Sequence, residues 1–403
     1  MKSVLTTALL GVLLLAGPGA RAATTDSALI EALTTELAEL RARLERLENN
    51  RKVPEVAYQT PATAVPAAGA GWEDRLRWKG DFRYRHETSD PEFSSKRHRQ
   101  RIRARTSLEA DLSDSLRVGF GLITGGQNPV SGNQTLGGGF SSKDIALDLS
   151  YVTWETPIDG LTWTAGKFRN PLHRAGDNGL LWDGDLRPEG TNVTFQRGGF
   201  SLTGLGLWAS ESSGKDIFVL GAQAGFEVPL SDTTRFLIGT GYYDLSDTRG
   251  RPVLFDGDPR GNSIDAAGNY LYGYEELEVF TELHFDIANM PTELFANWVQ
   301  NLDADDYDTG YAIGASMRFG NGRQPWKVGY TYQDLEADAV LALFTDSDFM
   351  DGGTDGKGHT LKLGYILTSN VSLGGTLFIN QRGGNLGEEE DFNRVLFDVQ
   401  FKY

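Results

Sequence analysis

The chain has 403 residues, no cysteine and a formal net charge of −17. Without cysteine no disulfide can staple the fold, so strand or helix pairing and burial must hold it. The acidic balance argues against a general nucleic-acid partner, and the length suits one large all-β domain or two ordinary ones.

The first residues read as an export signal. Lys2 supplies a positive start, Val4 to Ala16 an apolar run, and Ala20-Arg21-Ala22 a small-residue cleavage pattern, so residues 1–22 are expected to be removed. No later run is long and apolar enough to cross a bilayer as a helix.

Residues 26–49 carry Ile30, Leu33, Leu37, Leu40, Leu44 and Leu47 at spacings of 3, 4, 3, 4 and 3, the core pattern of a coiled coil. Asp26 or Ser27 can cap its start, and the pairs Glu39–Arg43 and Arg41–Glu45 add i,i+4 support. A helix this short is marginal alone, which favours self-association over packing on its own domain. Leucine at both core positions leaves the oligomer number open. Residues 50–71, with Pro54, Pro61 and Pro66 among many alanines, read as an extended linker.

From Trp72 onward the pattern changes to a period of two. In Arg101–Leu112, Arg101, Arg103, Arg105, Ser107, Glu109 and Asp111 share one face, and Ile102, Ala104, Thr106, Leu108, Ala110 and Leu112 the other. The preceding stretch does the same, with Arg77, Lys79, Asp81, Arg83 and Arg85 opposite Leu76, Trp78, Gly80, Phe82 and Tyr84. Such strands fit either a sandwich or a membrane barrel. The connections decide for the barrel, because very short turns alternate with long polar loops along residues 72–403. The expected fold is all-β: a transmembrane antiparallel barrel of about sixteen strands, preceded by the short helical coiled coil.

Upward strands are expected to start near Leu76, Leu116, Leu161, Phe200, Thr234, Thr292, Trp326 and Val371. Downward strands are expected near Arg101, Ile145, Thr191, Ile217, Glu276, Tyr311, His359 and Arg394. The Phe200 strand is apolar on both faces, through Leu202, Leu205, Leu207 and Trp208, and is expected to pack partly on protein. The tenth strand places Glu276, Glu278, Glu282 and Asp286 on its inner face. In a ring of sixteen it lies opposite the second strand, so acidic and basic walls are expected to face each other across water.

The last strand alternates Val395, Phe397, Val399, Phe401 and Tyr403 and ends on an aromatic carboxy terminus, which resembles the assembly signal of outer-membrane barrels. With the stretch Leu181-Trp182-Asp183-Gly184-Asp185-Leu186-Arg187-Pro188-Glu189-Gly190, the chain looks like the Gram-negative porins, most like the putative porin family with an N-terminal coiled coil. The resemblance implies a cell outer-membrane location, a periplasmic N-terminal helix, contact with membrane lipid and a homotrimer. It also implies that the loop after the fifth strand, residues 169–189, folds inward and narrows the channel. Asp183, Asp185, Arg187 and Glu189 would then lie at or near the constriction. The loop is rich in glycine and lacks a dense acidic run, a departure that leaves open which carboxylate faces the pore.

The leading expectation is a water-filled channel for passive diffusion of ions and small hydrophilic solutes, lined on one side by Arg77, Lys79, Arg83, Arg85, Arg101, Arg103 and Arg105. An anion- or phosphate-selective channel is the first alternative, since the basic ladder and coiled coil are also similar to phosphate- and polyphosphate-selective porins. A tether between barrel and cell wall is another. An outer-membrane hydrolase would need a serine beside His284 or His359. The acidic loops Asp303, Asp305, Asp306, Asp308 and Asp346, Asp348, Asp351, Asp355 offer carboxylates that can hold calcium, although solvated loops explain them as well. No histidine pair has metal-ligand spacing, so neither a metal nor a cofactor is expected.

Overall fold

A computed structural model describes residues 72–403, apart from 213–215, 322–324 and 388, and four residues nearer the start. The chain divides into two compact units, Met1–Ala68 and Gly69–Tyr403. In the first, the described residues Thr35, Ala38, Glu39 and Ala42 are helical. The signal segment, the linker and all six expected coiled-coil core positions lie outside the described residues.

The second unit is a closed antiparallel barrel. Its first eight long strands are β1 (Leu76–Pro91), β2 (Arg97–Asp111), β3 (Leu116–Thr124), β4 (Ile145–Glu155), β5 (Leu161–Lys167), β6 (Glu189–Arg197), β7 (Phe200–Ser210) and β8 (Ile217–Pro229). The second eight are β9 (Arg235–Leu245), β10 (Tyr274–Ile287), β11 (Met290–Asn301), β12 (Thr309–Phe319), β13 (Trp326–Leu335), β14 (Gly356–Ile366), β15 (Val371–Arg382) and β16 (Glu390–Lys402). Each pairs with the next, and β16 pairs back onto β1. All sixteen expected strands are present. Several begin earlier than the apolar period suggests, β2 at Arg97 and β16 at Glu390, because backbone pairing with β1 and β15 continues beyond the alternating apolar residues.

The seam is closed by reciprocal backbone bonds between Gly80 and Tyr403, of 2.9 and 3.1 Å. Gly80 is required there: a Cβ would lie 2.4 Å from the Tyr403 ring. β2 outruns β3, and its spare edge is covered by a two-residue strand in the second long loop, Gln134–Thr135 pairing with Ile102 and Arg101. That covering removes an unpaired edge.

The strand alternation has its physical outcome in exposure. Phe82, Tyr84, Leu108, Phe120, Ile313, Val328, Leu363, Phe397 and Phe401 are all exposed on the outside. A soluble sandwich would bury them against a second sheet, whereas a membrane barrel turns them to lipid. Aromatic contacts occur near the short-turn rim, with Trp78 edge-on to Tyr403 at 5.8 Å and Trp326 against Tyr365 at 4.5 Å, and at the long-loop end, with Trp208 against Phe218 at 5.9 Å and Tyr311 against Tyr332 at 6.1 Å.

The interior is partly filled by protein. Loop 3 (residues 168–188, after β5) and loop 7 (residues 336–355, after β13) fold into the lumen. Leu180, Leu181, Trp182 and Leu186 of loop 3 and Val340, Leu341 and Leu343 of loop 7 form one apolar cluster. The cluster includes the inward Leu205 and Leu207 of β7 and Phe280 of β10, while Leu202 and Trp208 on the other face of β7 are exposed. The doubly apolar β7 therefore packs on loop protein inside and is exposed outside.

Candidate functional site

The inward face of β1 and β2 carries the arginine ladder, and nearly every member is ion-paired. Arg77 meets Asp111 at 2.7 Å, and Lys79 meets Glu109 at 3.5 Å near the short-turn rim. Arg85 is buried between Asp398 of β16 and Asp348 of loop 7, each at 2.7 Å. Arg101 meets Glu87 at 3.1 Å, and Arg99 donates to the same buried carboxylate. Arg103 and Arg105 share Asp81 of β1 and Asp185 of loop 3, with contacts from 2.6 to 3.1 Å. Among the described residues, Arg83 is the ladder arginine with no carboxylate ion pair; its guanidinium donates to Asn133 Oδ1 at 2.7 Å.

Arg99 and Asn133 were not singled out from sequence, and neither were three further participants. Arg394 is fully buried and reaches Asp351 of loop 7, and Asp398 and Glu87 take arginines on either side. The alternation of β16 contained a signal for two of them, since Arg394 and Asp398 sit between its outward apolar residues. The acidic stretch of loop 7 also finds its use here. Asp348 and Asp351 serve arginines, and Asp355 accepts backbone N–H groups of Asn385 and Leu386.

The four expected loop 3 positions separate into distinct environments. Asp185 joins the ladder. Arg187 lies 3.4 Å from Asp148 and donates to the Gly184 and Leu186 carbonyls. Glu189, the first residue of β6, meets Lys167 at 2.8 Å. Asp183 ties loop 3 to loop 7: its carboxylate accepts the N–H groups of Asp185 and Ser347, and its own N–H donates to the Phe344 carbonyl at 2.7 Å.

The acidic strand points inward but mostly meets protein rather than water. Glu276 accepts the Leu341 N–H of loop 7 at 2.9 Å. Glu278 accepts from Gln223, Tyr243 and Asn297. Both are under 3 % exposed. Glu282 takes His173 and the Gly176 N–H of loop 3, and Asp286 is exposed near the short turn. Gly176 makes this approach possible, because its φ is +60° and a Cβ would lie 2.1 Å from the Phe295 ring.

Charge in the loops follows this geometry. Burial works to raise the Asp185 carboxyl, but the Arg103 and Arg105 guanidiniums outweigh it and hold the group below its ordinary value. Asp183 goes the other way: burial first, then the Asp346 and Asp185 charges, push it up to about 8. A folded-state value above the unfolded one means the folded chain holds a proton that the unfolded chain has released. Stability from this group is therefore full below about pH 4 and falls as pH rises toward about 8. Asp183→Asn should flatten that part of the stability profile. Melting of the detergent-folded protein across pH 4–9 tests this, and an unchanged slope in the variant would assign the dependence to another group.

Two cavities flank loop 3. One of about 690 Å³ opens toward the long loops and is lined by Asp148, Lys167, Asp185, Arg187 and Glu189. The other, about 720 Å³, lies toward the short turns beneath His173 and Arg174.

A family model described as "Putative porin" matches residues 91–257 and 272–384. No curated protein matches the sequence. Among solved structures, OprB of Pseudomonas putida at high pH is similar over 82% of this chain and 95% of its own, at 11% identity and a TM-score of 0.57. OmpF of Salmonella typhi, in complex with daunomycin, is similar over 81% of this chain and 97% of its own, at 9% identity and a TM-score of 0.51. At such identities the likeness is one of fold.

Proposed function

We propose, from the premise that this chain belongs to the Putative porin family, that its lumen passes ions and small hydrophilic solutes through a constriction fixed by loop 3. The protein is an outer-membrane channel, and family and fold are those of a channel rather than an enzyme. The observation that carries the reading is Asp185, which clamps loop 3 between Arg103 and Arg105. A loop held by charge-assisted bonds is a fixed narrowing rather than a moving lid. The same pairs compensate most of the ladder, which favours general diffusion over strong anion selection.

Arg83 supports a second reading, a weak anion preference. It has no carboxylate ion pair among the described residues and lies between Arg85 on its own strand and Arg103 directly opposite. Fixed charge at a pore wall tunes which ion passes. Single channels in a planar bilayer under a potassium chloride gradient test both. An open channel with a reversal potential near zero, displaced slightly toward chloride, is expected. No conductance sinks the channel reading, and a reversal potential near the chloride limit replaces it with a strongly anion-selective one.

From the likeness to porins we assign a homotrimer, the short turns to the periplasmic side and the N-terminal segment to the periplasm; the leucine pattern from Ile30 to Leu47 supports self-association without fixing the oligomer number. The barrel exterior contacts lipid.

A further inference from the structure

We propose that Glu282, His284 and Glu293, with His173 of loop 3, form a binding site for a divalent transition-metal cation of the zinc class. Strand pairing builds most of the site. Glu282 and His284 are two apart on the inner face of β10, and Glu293 of β11 is the direct cross-strand partner of His284. Ligand atoms of these three residues lie within 4.8 Å of one another. His173 arrives from loop 3, its Nε2 2.9 Å from one Glu282 oxygen, while His284 Nε2 is 2.8 Å from the other. The Gly176 N–H donates to Glu282 at 2.8 Å, and the Ser316 hydroxyl donates to Glu293 at 3.2 Å, so both carboxylates are oriented.

The donor set selects the ion class. Two imidazole nitrogens and two carboxylates suit zinc, whereas calcium and magnesium prefer oxygen alone. Zinc bonds are about 2.0–2.2 Å long, so Glu282, His284 and Glu293, and His173 from outside their 4.8 Å group, must draw together by rotamer adjustment. Space allows it, because all four residues line the cavity of about 720 Å³ on the short-turn side. That cavity also gives the ion a way in. Arg235, the other cross-strand neighbour of His284, is held by Glu227 at 3.4 Å. An ion bound here ties loop 3 to the β10 wall through His173, and it adds positive charge beneath the constriction. The site stands apart from the arginine wall and does not depend on how the pore selects ions.

The test uses untagged full-length protein folded in detergent and zinc chloride as the probe. Zinc titration against a chromophoric chelator should give one ion per chain. His284→Gln and Glu293→Gln should each weaken it by more than about tenfold, the least that even outer-shell changes cost. Magnesium should not compete. In bilayers both variants should conduct like the parent in zinc-free buffer, which shows that they fold, and added zinc should lower the current of the parent alone. Failure of the parent to retain zinc, or equal retention by both variants, overturns the site. A parent channel that conducts but ignores zinc also overturns it and leaves the porin reading intact. One bound zinc in a protein that does not conduct would support the site and sink the channel reading.

Discussion

Replacing Arg101, Arg103 and Arg105 together with Gln moves the reversal potential toward cations, and most strongly at low salt. The substitution does more than remove three positive charges. Arg103 and Arg105 compensate Asp81 and Asp185, and Arg101 contributes to holding Glu87. With the arginines gone, Asp81 and Asp185 lose their ion-pair partners and only the nearby charges of Arg83 and Arg187 still offset Asp185, so this part of the wall turns acidic instead of becoming neutral. Glu87 keeps Arg99 and is affected less. Screening sets the salt dependence: the Debye length is about 8 Å at physiological ionic strength and about 30 Å at 0.01 M. Removing one partner of a buried pair costs about 3–5 kcal/mol. Only Arg103 is buried deeply enough to approach that, so a lower melting temperature is also expected. A folded, conducting triple variant with unaltered selectivity would place the ladder away from the conduction path.

Asp185→Asn shifts selectivity the opposite way and loosens the constriction. Asn keeps the shape but not the charge, and it leaves Arg103 and Arg105 with Asp81 alone. Hydrogen bonds to charged groups are each worth about 1.5–3 kcal/mol, and this residue accepts from both guanidiniums. Loop 3 remains attached to loop 7 by backbone bonds, Asp183 to Phe344 at 2.7 Å and Asp346 to Gly179 at 3.0 Å. The expected result is therefore a folded channel with greater chloride preference, noisier open current and a lower melting temperature. Current noise and reversal potential equal to the parent would show that Asp185 neither sets the field nor holds the loop.

The barrel was legible in the sequence because its cause is local. Successive strand residues point to opposite faces, and an arginine on the lipid face at mid-bilayer costs roughly 2–4 kcal/mol. Arg83, Arg85, Arg101, Arg103 and Arg105 on one parity, with Phe82, Tyr84, Ile102, Ala104 and Thr106 on the other, therefore orient two strands without any knowledge of their neighbours. The inward direction of Glu276, Glu278 and Glu282 follows from the same parity. What those groups meet does not. Glu276 is covered because Leu341 of loop 7 brings an N–H to it, and Glu282 because loop 3 turns at Gly176. Loops have no period to read, and their conformations depend on contacts far away in the chain. The compensation of the ladder is equally tertiary: Asp185 and Asp348 reach Arg103 and Arg85 from positions 82 and 263 residues distant. Alternation along single strands thus determined which wall is basic, while the folding of loops 3 and 7 into the lumen decided how much of that charge a passing ion meets.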